Sequence, residues 1–92
     1  MIVALGQIVV SRAGRDAGKK FVIIKMLDSQ FVEVSDGDLR RMERPKKKRI
    51  KHLNITEQKA ESLGEKLKSG GRITNAEIRK ALAGLNTQQN KG

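Results

Sequence analysis

A dense run of positive charge in the middle of the chain constrains the fold more than any other feature. Residues 40–52 hold eight Lys or Arg side chains and one carboxylate, that of Glu43. Like charges this close together repel one another, so a packed core cannot absorb them, whereas a polyanion placed opposite removes the repulsion. A nucleic acid also releases condensed counterions when it is bound. The run therefore predicts a surface that binds a polyanion, and RNA is the partner we expect.

Runs of Lys and Arg also occur as solvated tails and targeting tracts. Here the run lies in mid-chain between two patterned segments, which favours binding. The rest of the composition points the same way, since the net charge is +10 and the first 53 residues hold 13 Lys or Arg against 6 Asp or Glu. The chain is expected to act as a basic, RNA-binding protein and to be a monomer when free.

Size and composition argue against several other classes of function. A chain of 92 residues forms one small domain that buries only about 60–65% of its unfolded surface, so a deep active site is not expected. Without cysteine there is no disulfide, thiolate or zinc ribbon. The one histidine, His52, lacks a second metal ligand or a nucleophile nearby, and Asp36 and Asp38 around Gly37 have the spacing of turn residues. We expect no enzyme, catalytic residue, metal or cofactor.

Membrane association is not expected either. No stretch of the sequence approaches the ~20 apolar residues that span a bilayer. The apolar start, residues 1–5, lacks a basic segment before it and leads into an alternating pattern, which argues against a signal peptide. These features, together with the absence of cysteine, predict a cytoplasmic protein with no membrane partner.

The first half of the chain has the pattern of short strands. Segments rich in Val, Ile and Phe are separated by turn residues, and they predict strands at 7–11, 20–27, 30–35 and 39–44. Asp36-Gly37 tolerates the backbone of a tight turn, so we expect the chain to reverse between Val34 and Leu39. The stretch 21–24 is apolar on both faces, which favours a small closed barrel over an open sheet.

After His52 the period becomes helical. Ala60, Leu63 and Leu67 predict a helix over 54–68 that ends at Gly70-Gly71. A capping box, Thr74 to Glu77, with Ile73 and Ile78 as a hydrophobic staple, begins a second helix. Its apolar stripe is Ile78, Ala81, Leu82 and Leu85, and Gly84 with Asn86 marks its end. We therefore expect a barrel over 1–53, a two-helix appendage over 54–86 and a disordered tail over 87–92.

The loop between the first two predicted strands, residues 11–20, is a second candidate binding element. Its two glycines, Gly14 and Gly18, allow backbone amides to approach a phosphate oxygen, and four cations surround them: Arg12, Arg15, Lys19 and Lys20. The spacing does not match a nucleotide-binding P-loop, which needs four residues between its glycines and a Ser or Thr after the Lys. The alternative is an ordinary hairpin loop whose glycines serve turn geometry alone.

Five segments together resemble a KOW domain. They are GQIVVS at 6–11, AGRDAGK at 13–19, FVEVSDG at 31–37, RPKKK at 44–48 and KHL at 51–53. The resemblance extends over residues 5–53 and is most specific in the AGRDAGK loop and the KHL element. These segments are similar to those of the large-subunit ribosomal proteins of the fourteen-e type and of their short bacterial homologues.

The resemblance implies an SH3-like barrel of about five strands that binds RNA, usually ribosomal RNA, through loop and basic-strand residues. The fold we expect is mainly β with α: a small SH3-like (KOW) β-barrel followed by a C-terminal helical hairpin. Gly14 and Gly18 are expected to be structural. Combining the resemblance with the charge pattern, the predicted RNA-binding residues are Arg12, Arg15, Lys19, Lys20, Arg44, Lys46, Lys47, Lys48, Arg49, Lys51 and His52.

Two other hypotheses remain open at this point. KOW modules also bind proteins in transcription or translation, and ribosomal proteins are possible partners here. The helix, Gly-Gly turn and capped helix resemble a helix-turn-helix, with Asn75, Arg79 and Lys80 as candidate DNA contacts. The chain has no Trp or Tyr and two Phe, both predicted to be core, so recognition should depend on phosphates, 2′-hydroxyls and RNA shape.

Overall fold

The structure of the protein, a computed structural model, describes the backbone of residues 3–91 and the side chains of residues 3–83. Five strands and two helices follow one another, with a turn of 3₁₀ helix at Ile50–His52 between the last two strands. The elements are β1 (Gln7–Ser11), β2 (Lys20–Met26), β3 (Phe31–Ser35), β4 (Lys46–Arg49), β5 (Leu53–Lys59), α1 (Glu61–Lys68) and α2 (Asn75–Lys91).

The five strands form one antiparallel sheet in the order β4-β3-β2-β1-β5. Val9 lies opposite Phe21 across β1 and β2, and Val34 lies opposite Lys46 across β3 and β4. The expectation of a mainly β fold with some α is therefore confirmed. Among the described residues β4 and β5 are the two edges of the sheet, and closure into an SH3-like barrel stays a prediction.

The central strand β2 has a hydrophobic core on each of its faces. Phe21 and Ile23 pack in one core with Val9, Val32, Val34 and Leu53. Val22 and Ile24 pack in the other, which is completed by Leu63 of α1, Ile78 of α2 and Ile73 from the segment between them. A strand that is apolar on both faces was expected to lie in a barrel, but its second face is covered by α1 and α2. The helices are thus part of the same hydrophobic structure as the sheet.

The prediction of a strand at 39–44 is wrong. The Asp36 carboxylate accepts hydrogen bonds from the backbone amides of Asp38 and Arg40, at 2.9 and 2.8 Å, and so turns these residues into a loop. Asx-type turns of this kind compete with strand ladders for the same amides. Pro45, which has no N–H to donate, then separates the loop from β4, whose pairing begins at Lys46.

The single helix predicted over 54–68 is also wrong in its first half. Residues 53–59 form β5, which pairs with β1 and places Ile55 opposite Val9. The Thr56 hydroxyl donates a 2.7 Å hydrogen bond to the Ile8 carbonyl. The β-branched Ile55 and Thr56 suit a strand, and the free edge of β1 supplies a partner that a local pattern cannot show. The sheet therefore extends to Lys59, and the helix is confined to Glu61–Lys68.

The start of α2 was predicted correctly. The Glu77 amide donates to the Thr74 hydroxyl at 3.1 Å, and the Thr74 amide donates to the Glu77 carboxylate at 3.0 Å, which is the reciprocal pair of a capping box. Ile73 and Ile78 are both buried in the core beneath the helices. The two helices are joined through Gly70-Gly71, as expected.

The end of α2 was not predicted. The helix continues through Gly84 and Asn86 to Lys91, across most of the segment expected to be disordered. One interior glycine costs a helix only about 1 kcal/mol relative to alanine, and Gln and Lys are favourable helix formers. The side chain of Leu85 and all of Gly92 lie outside the described residues.

Replacing Gly64 by Ala should destabilise the fold, although Ala is the better helix former. Helix α1 lies directly on the N-terminal segment, and a Cβ at Gly64 would be 2.6 Å from the Leu5 carbonyl oxygen, a backbone atom. Overpacking of this kind costs roughly 1–3 kcal/mol. Urea unfolding should show a lower midpoint for Gly64→Ala than for Ser62→Ala, an exposed site in the same helix. Equal midpoints would contradict this account of α1 packing.

The capping box should make stability depend on pH in the acid range. The hydrogen bond from Lys66, at 2.7 Å, and the amide of Thr74 hold the pKa of Glu77 below its ordinary value of 4.5. Because the pKa of Glu77 is lower in the folded state, its ionised carboxylate stabilises the folded protein at pH values above 4.5. This contribution to the free energy of unfolding is lost as the pH falls through the folded-state pKa. We expect Glu77→Gln to be less stable than the parent at neutral pH, and the two urea midpoints to converge in acid. A gap that stays constant down to about pH 3 would show that the carboxylate charge is not involved.

Candidate nucleic-acid interface

The loop between β1 and β2 is a compact turn that needs glycine at two positions. Gly14 has φ +76° and Gly18 has φ +86°, in the left-handed region that other residues rarely adopt. The Gly18 amide donates to the Ser11 carbonyl at 2.8 Å, and the Ser11 amide donates to the Lys19 carbonyl at 3.0 Å, which closes the loop at its base. A Cβ on either glycine would meet nothing within 4 Å. Their structural role is thus conformational, and the space outside them is open to a ligand.

Asp16 joins this loop to the cationic segment. It is only 5% exposed, and its Oδ2 lies 3.3 Å from Arg40 Nη2 and 3.6 Å from Lys48 Nζ. The Lys48 ammonium also donates to the Ser11 hydroxyl at 3.3 Å. One buried carboxylate therefore binds side chains from β4 and from the loop that precedes it. Asp16 is not among the site residues predicted from the sequence. The one signal that points to it is an acidic residue placed among the cations of the loop.

Lys48 is engaged inside the protein. Its side chain is 11% exposed and its ammonium is shared between Asp16 and Ser11. A charge already paired in this way has less surface to offer a phosphate than its exposed neighbours Lys47 and Arg49. Its role as an RNA contact stays a prediction.

Strand β4 alternates between more and less exposed positions, as a strand must. Lys47 and Arg49 are exposed, and both lie against the Phe31 ring, with Lys47 Nζ 4.6 Å and Arg49 Cζ 5.0 Å from its centroid. At these distances the electrons of an aromatic ring attract a cation that lies over its face. Phe21 is fully buried as expected, but Phe31 is only partly buried. The prediction that both Phe residues belong to the core is wrong for Phe31.

The remaining predicted residues surround the loop and the 3₁₀ turn. Arg12, Arg15, Lys19, Lys51 and His52 are exposed, and the Arg12 amide donates to the His52 carbonyl at 2.8 Å, which connects the loop to the turn. A recess of about 440 Å³ brings the glycine loop and the cationic strand together, lined by Ala13, Gly14, Phe31, Lys46, Lys47, Lys48, Arg49 and His52. Lys20 and Arg44, also predicted as contacts, do not line it.

Two of the three candidate DNA contacts on α2, Asn75 and Arg79, are engaged with the protein. The Asn75 carboxamide accepts a hydrogen bond from the Met42 amide at 2.8 Å and donates to the Glu43 carboxylate at 2.9 Å. The hydrogen bond from Asn75 lowers the pKa of Glu43. Arg79 donates to the Gly37 carbonyl. These contacts fasten the start of α2 to the loop after β3, which disfavours the helix-turn-helix hypothesis.

Among the side chains that the structure describes, residues 3–83, no three His, Asp or Glu residues are grouped closely enough to bind a metal ion. Within residues 3–91, neither helix combines the length and the apolar character that a membrane crossing requires.

Comparison with known proteins supports a distant ribosomal relationship. No family model matches the chain. Over 55 residues the chain is 36% identical to the large ribosomal subunit protein eL14 of Desulfurococcus amylolyticus, a match that covers 60% of this chain. The chain spans 57% of the length of that relative. This similarity agrees with the resemblance to ribosomal proteins of the fourteen-e type, while the assignment of a KOW domain stays a prediction.

Proposed function

We propose that the protein binds structured RNA, and that this RNA is ribosomal RNA on or near the large ribosomal subunit. The observation that carries the proposal is the link through Asp16, because it holds the glycine loop beside the cationic strand. Seven exposed side chains lie on the loop, on β4 and on the adjoining 3₁₀ turn. We call them the RNA face: Arg12, Arg15, Lys19, Lys47, Arg49, Lys51 and His52. The similarity to a large-subunit ribosomal protein adds support.

The chemistry of the RNA face suits a phosphate backbone. Six of its seven members carry a permanent positive charge, and the open space beside Gly14 and Gly18 lets a phosphate approach the backbone of the loop closely. Lys47 and Arg49 lie over the Phe31 ring, so stacking of bases on this ring is not the main contribution to binding. Binding should therefore weaken steeply with salt, by roughly 0.7–0.9 in the logarithmic slope for each phosphate contacted.

Four further residues belong to the original prediction. Lys20, Arg44 and Lys46 stay predicted RNA contacts, and for Lys48 we propose a positioning role. A protein-binding KOW module is the competing function. Crosslinking in cells followed by sequencing of the bound RNA would separate the two, since recovery of large-subunit ribosomal RNA supports the proposal and recovery of protein alone contradicts it.

Lys47 and Lys48, neighbours with the same charge, should behave differently when replaced by Ala. Lys47→Ala should reduce the salt slope of binding to purified large-subunit ribosomal RNA by about 0.7–0.9 and leave the urea midpoint unchanged. Lys48→Ala should lower stability by roughly 1–3 kcal/mol, because the buried Asp16 loses a partner. Binding titrations over a series of KCl concentrations and urea unfolding measure both effects. Identical behaviour of the two variants would contradict the assignment of their roles.

Removing the charge of Asp16 should weaken RNA binding, although it makes the protein more positive. In Asp16→Asn the ion pairs with Arg40 and Lys48 are lost, so the loop is held less firmly beside β4. Asp38→Asn is the matched control, since it makes the same change of charge at an exposed carboxylate. Affinity for the ribosomal RNA should fall in the first variant and stay equal or rise slightly in the second. If both variants bind more tightly than the parent, overall charge governs affinity and Asp16 has no positioning role.

A further inference from the structure

A second cavity opens at the end of the sheet, beside the 3₁₀ turn. Its volume is about 690 Å³, within the range of roughly 300–1,000 Å³ typical of pockets that hold a small organic group. We call it the Ile50 cavity, and it is lined by Arg12, Ser29, Gln30, Arg49, Ile50, Lys51 and Leu53. Its lining adjoins the RNA face, because Arg12, Arg49 and Lys51 belong to both.

The apolar part of the cavity is held in place by the core. Leu53 is 4% exposed, and Ile50 packs against the same hydrophobic cluster. The Ile50 amide donates to the Gln30 carbonyl at 2.8 Å, which fixes the 3₁₀ turn to the turn before β3. The Asp28 carboxylate accepts hydrogen bonds from the amides of Gln30 and Phe31, both at 2.8 Å. The walls are therefore formed before any ligand arrives.

The charged side chains that line the cavity are all positive. Its lining includes three cations from two segments of the chain, Arg12, Arg49 and Lys51, and no acidic residue. Arg49 also lines the recess that contains Gly14 and Phe31. A polyanion that lies across the RNA face would thus pass directly from one opening to the other.

The combination of an apolar floor and a cationic rim matches a nucleotide. Ser29 and Gln30 add a hydroxyl and a carboxamide, groups that both donate and accept hydrogen bonds, as the edges of bases do. Bases within an RNA duplex are stacked and out of reach, so only an unpaired nucleotide can enter a cavity. An acidic peptide would satisfy the rim through its carboxylates, but it would bring a flat group for Ile50 and Leu53 only where an aromatic residue lies among them. Every unpaired nucleotide carries such a group, its base.

We propose that the Ile50 cavity holds the base of one unpaired nucleotide of the bound RNA. The base lies on Ile50 and Leu53, and the adjoining phosphates contact Arg12, Arg49 and Lys51. This inference rests on the proposed RNA binding and adds to it a preference for RNA with a bulged or looped-out nucleotide.

The test compares two RNA hairpins that differ only in a single bulged 2-aminopurine nucleotide. The parent protein should bind the bulged hairpin roughly tenfold more tightly than the fully paired one, and the fluorescence of the 2-aminopurine should change on binding. Ser29→Leu fills part of the cavity without changing any charge. It should abolish the preference for the bulge and leave affinity for the paired hairpin unchanged. Ser62→Leu, at an exposed site on α1, is the matched control and should retain the preference.

The outcomes separate the two proposals. If the parent binds both hairpins equally, or if Ser29→Leu keeps the preference, the cavity does not hold a base, while RNA binding stands. If the parent binds neither hairpin nor large-subunit ribosomal RNA, RNA binding fails and the cavity inference fails with it. Circular dichroism checks that each variant is folded. Gln30→Leu, at a second exposed side chain of the lining, carries the same expectations should Ser29→Leu not fold.

Discussion

The ion pairs of Asp16 with Arg40 and Lys48 are the interaction on which the proposed RNA face depends. A strand of four consecutive cations repels itself and its surroundings, and a single buried carboxylate offsets part of that repulsion while it fastens the glycine loop to the strand. A buried ion pair gains stability only where its geometry is good and further hydrogen bonds satisfy its members. Here the Ser11 hydroxyl supplies one of those bonds to Lys48. The pairing is therefore better understood as fixing the relative position of two segments than as a large source of stability.

The sheet beneath this surface has both faces covered. Because α1 and α2 complete a core on the outer side of β2, the helices and the strands are expected to unfold together and not as separate units. The cationic edge strand β4 has a second use that needs no ligand, since Lys on an exposed edge discourages pairing with another chain. Edge protection accounts for Lys47 and Arg49. It does not account for Arg12, Arg15 and Lys19, which lie on a loop, and that difference favours a binding function.

Local patterns were sufficient for part of the fold. Strand β1 and the capping box of α2 were predicted at the right residues, because strand alternation and helix capping are determined within a few positions of the chain. The strand expected at 39–44 failed because the Asp36 carboxylate binds the amides of Asp38 and Arg40, and β4 pairs with β3 only from Lys46 onward. The helix expected from residue 54 failed because β5 takes the free edge of β1, a partner distant in sequence. Asp16 was missed in the same way, since Arg40 and Lys48 are 24 and 32 positions further along the chain.

The density of charge in the sequence overstates the charge on any one face of the folded protein. Successive side chains of a strand point to opposite sides, so the four cations of β4 divide into two that are exposed and two that are less exposed. Two cations alone make a weak site for RNA, because affinity depends on the number of phosphates neutralised. On the proposed RNA face the loop therefore contributes Arg12, Arg15 and Lys19, and the 3₁₀ turn contributes Lys51. Lys19 and Lys51 are more than thirty positions apart in the sequence. The proposed RNA face therefore requires both the cationic run and the loop that Asp16 holds beside it.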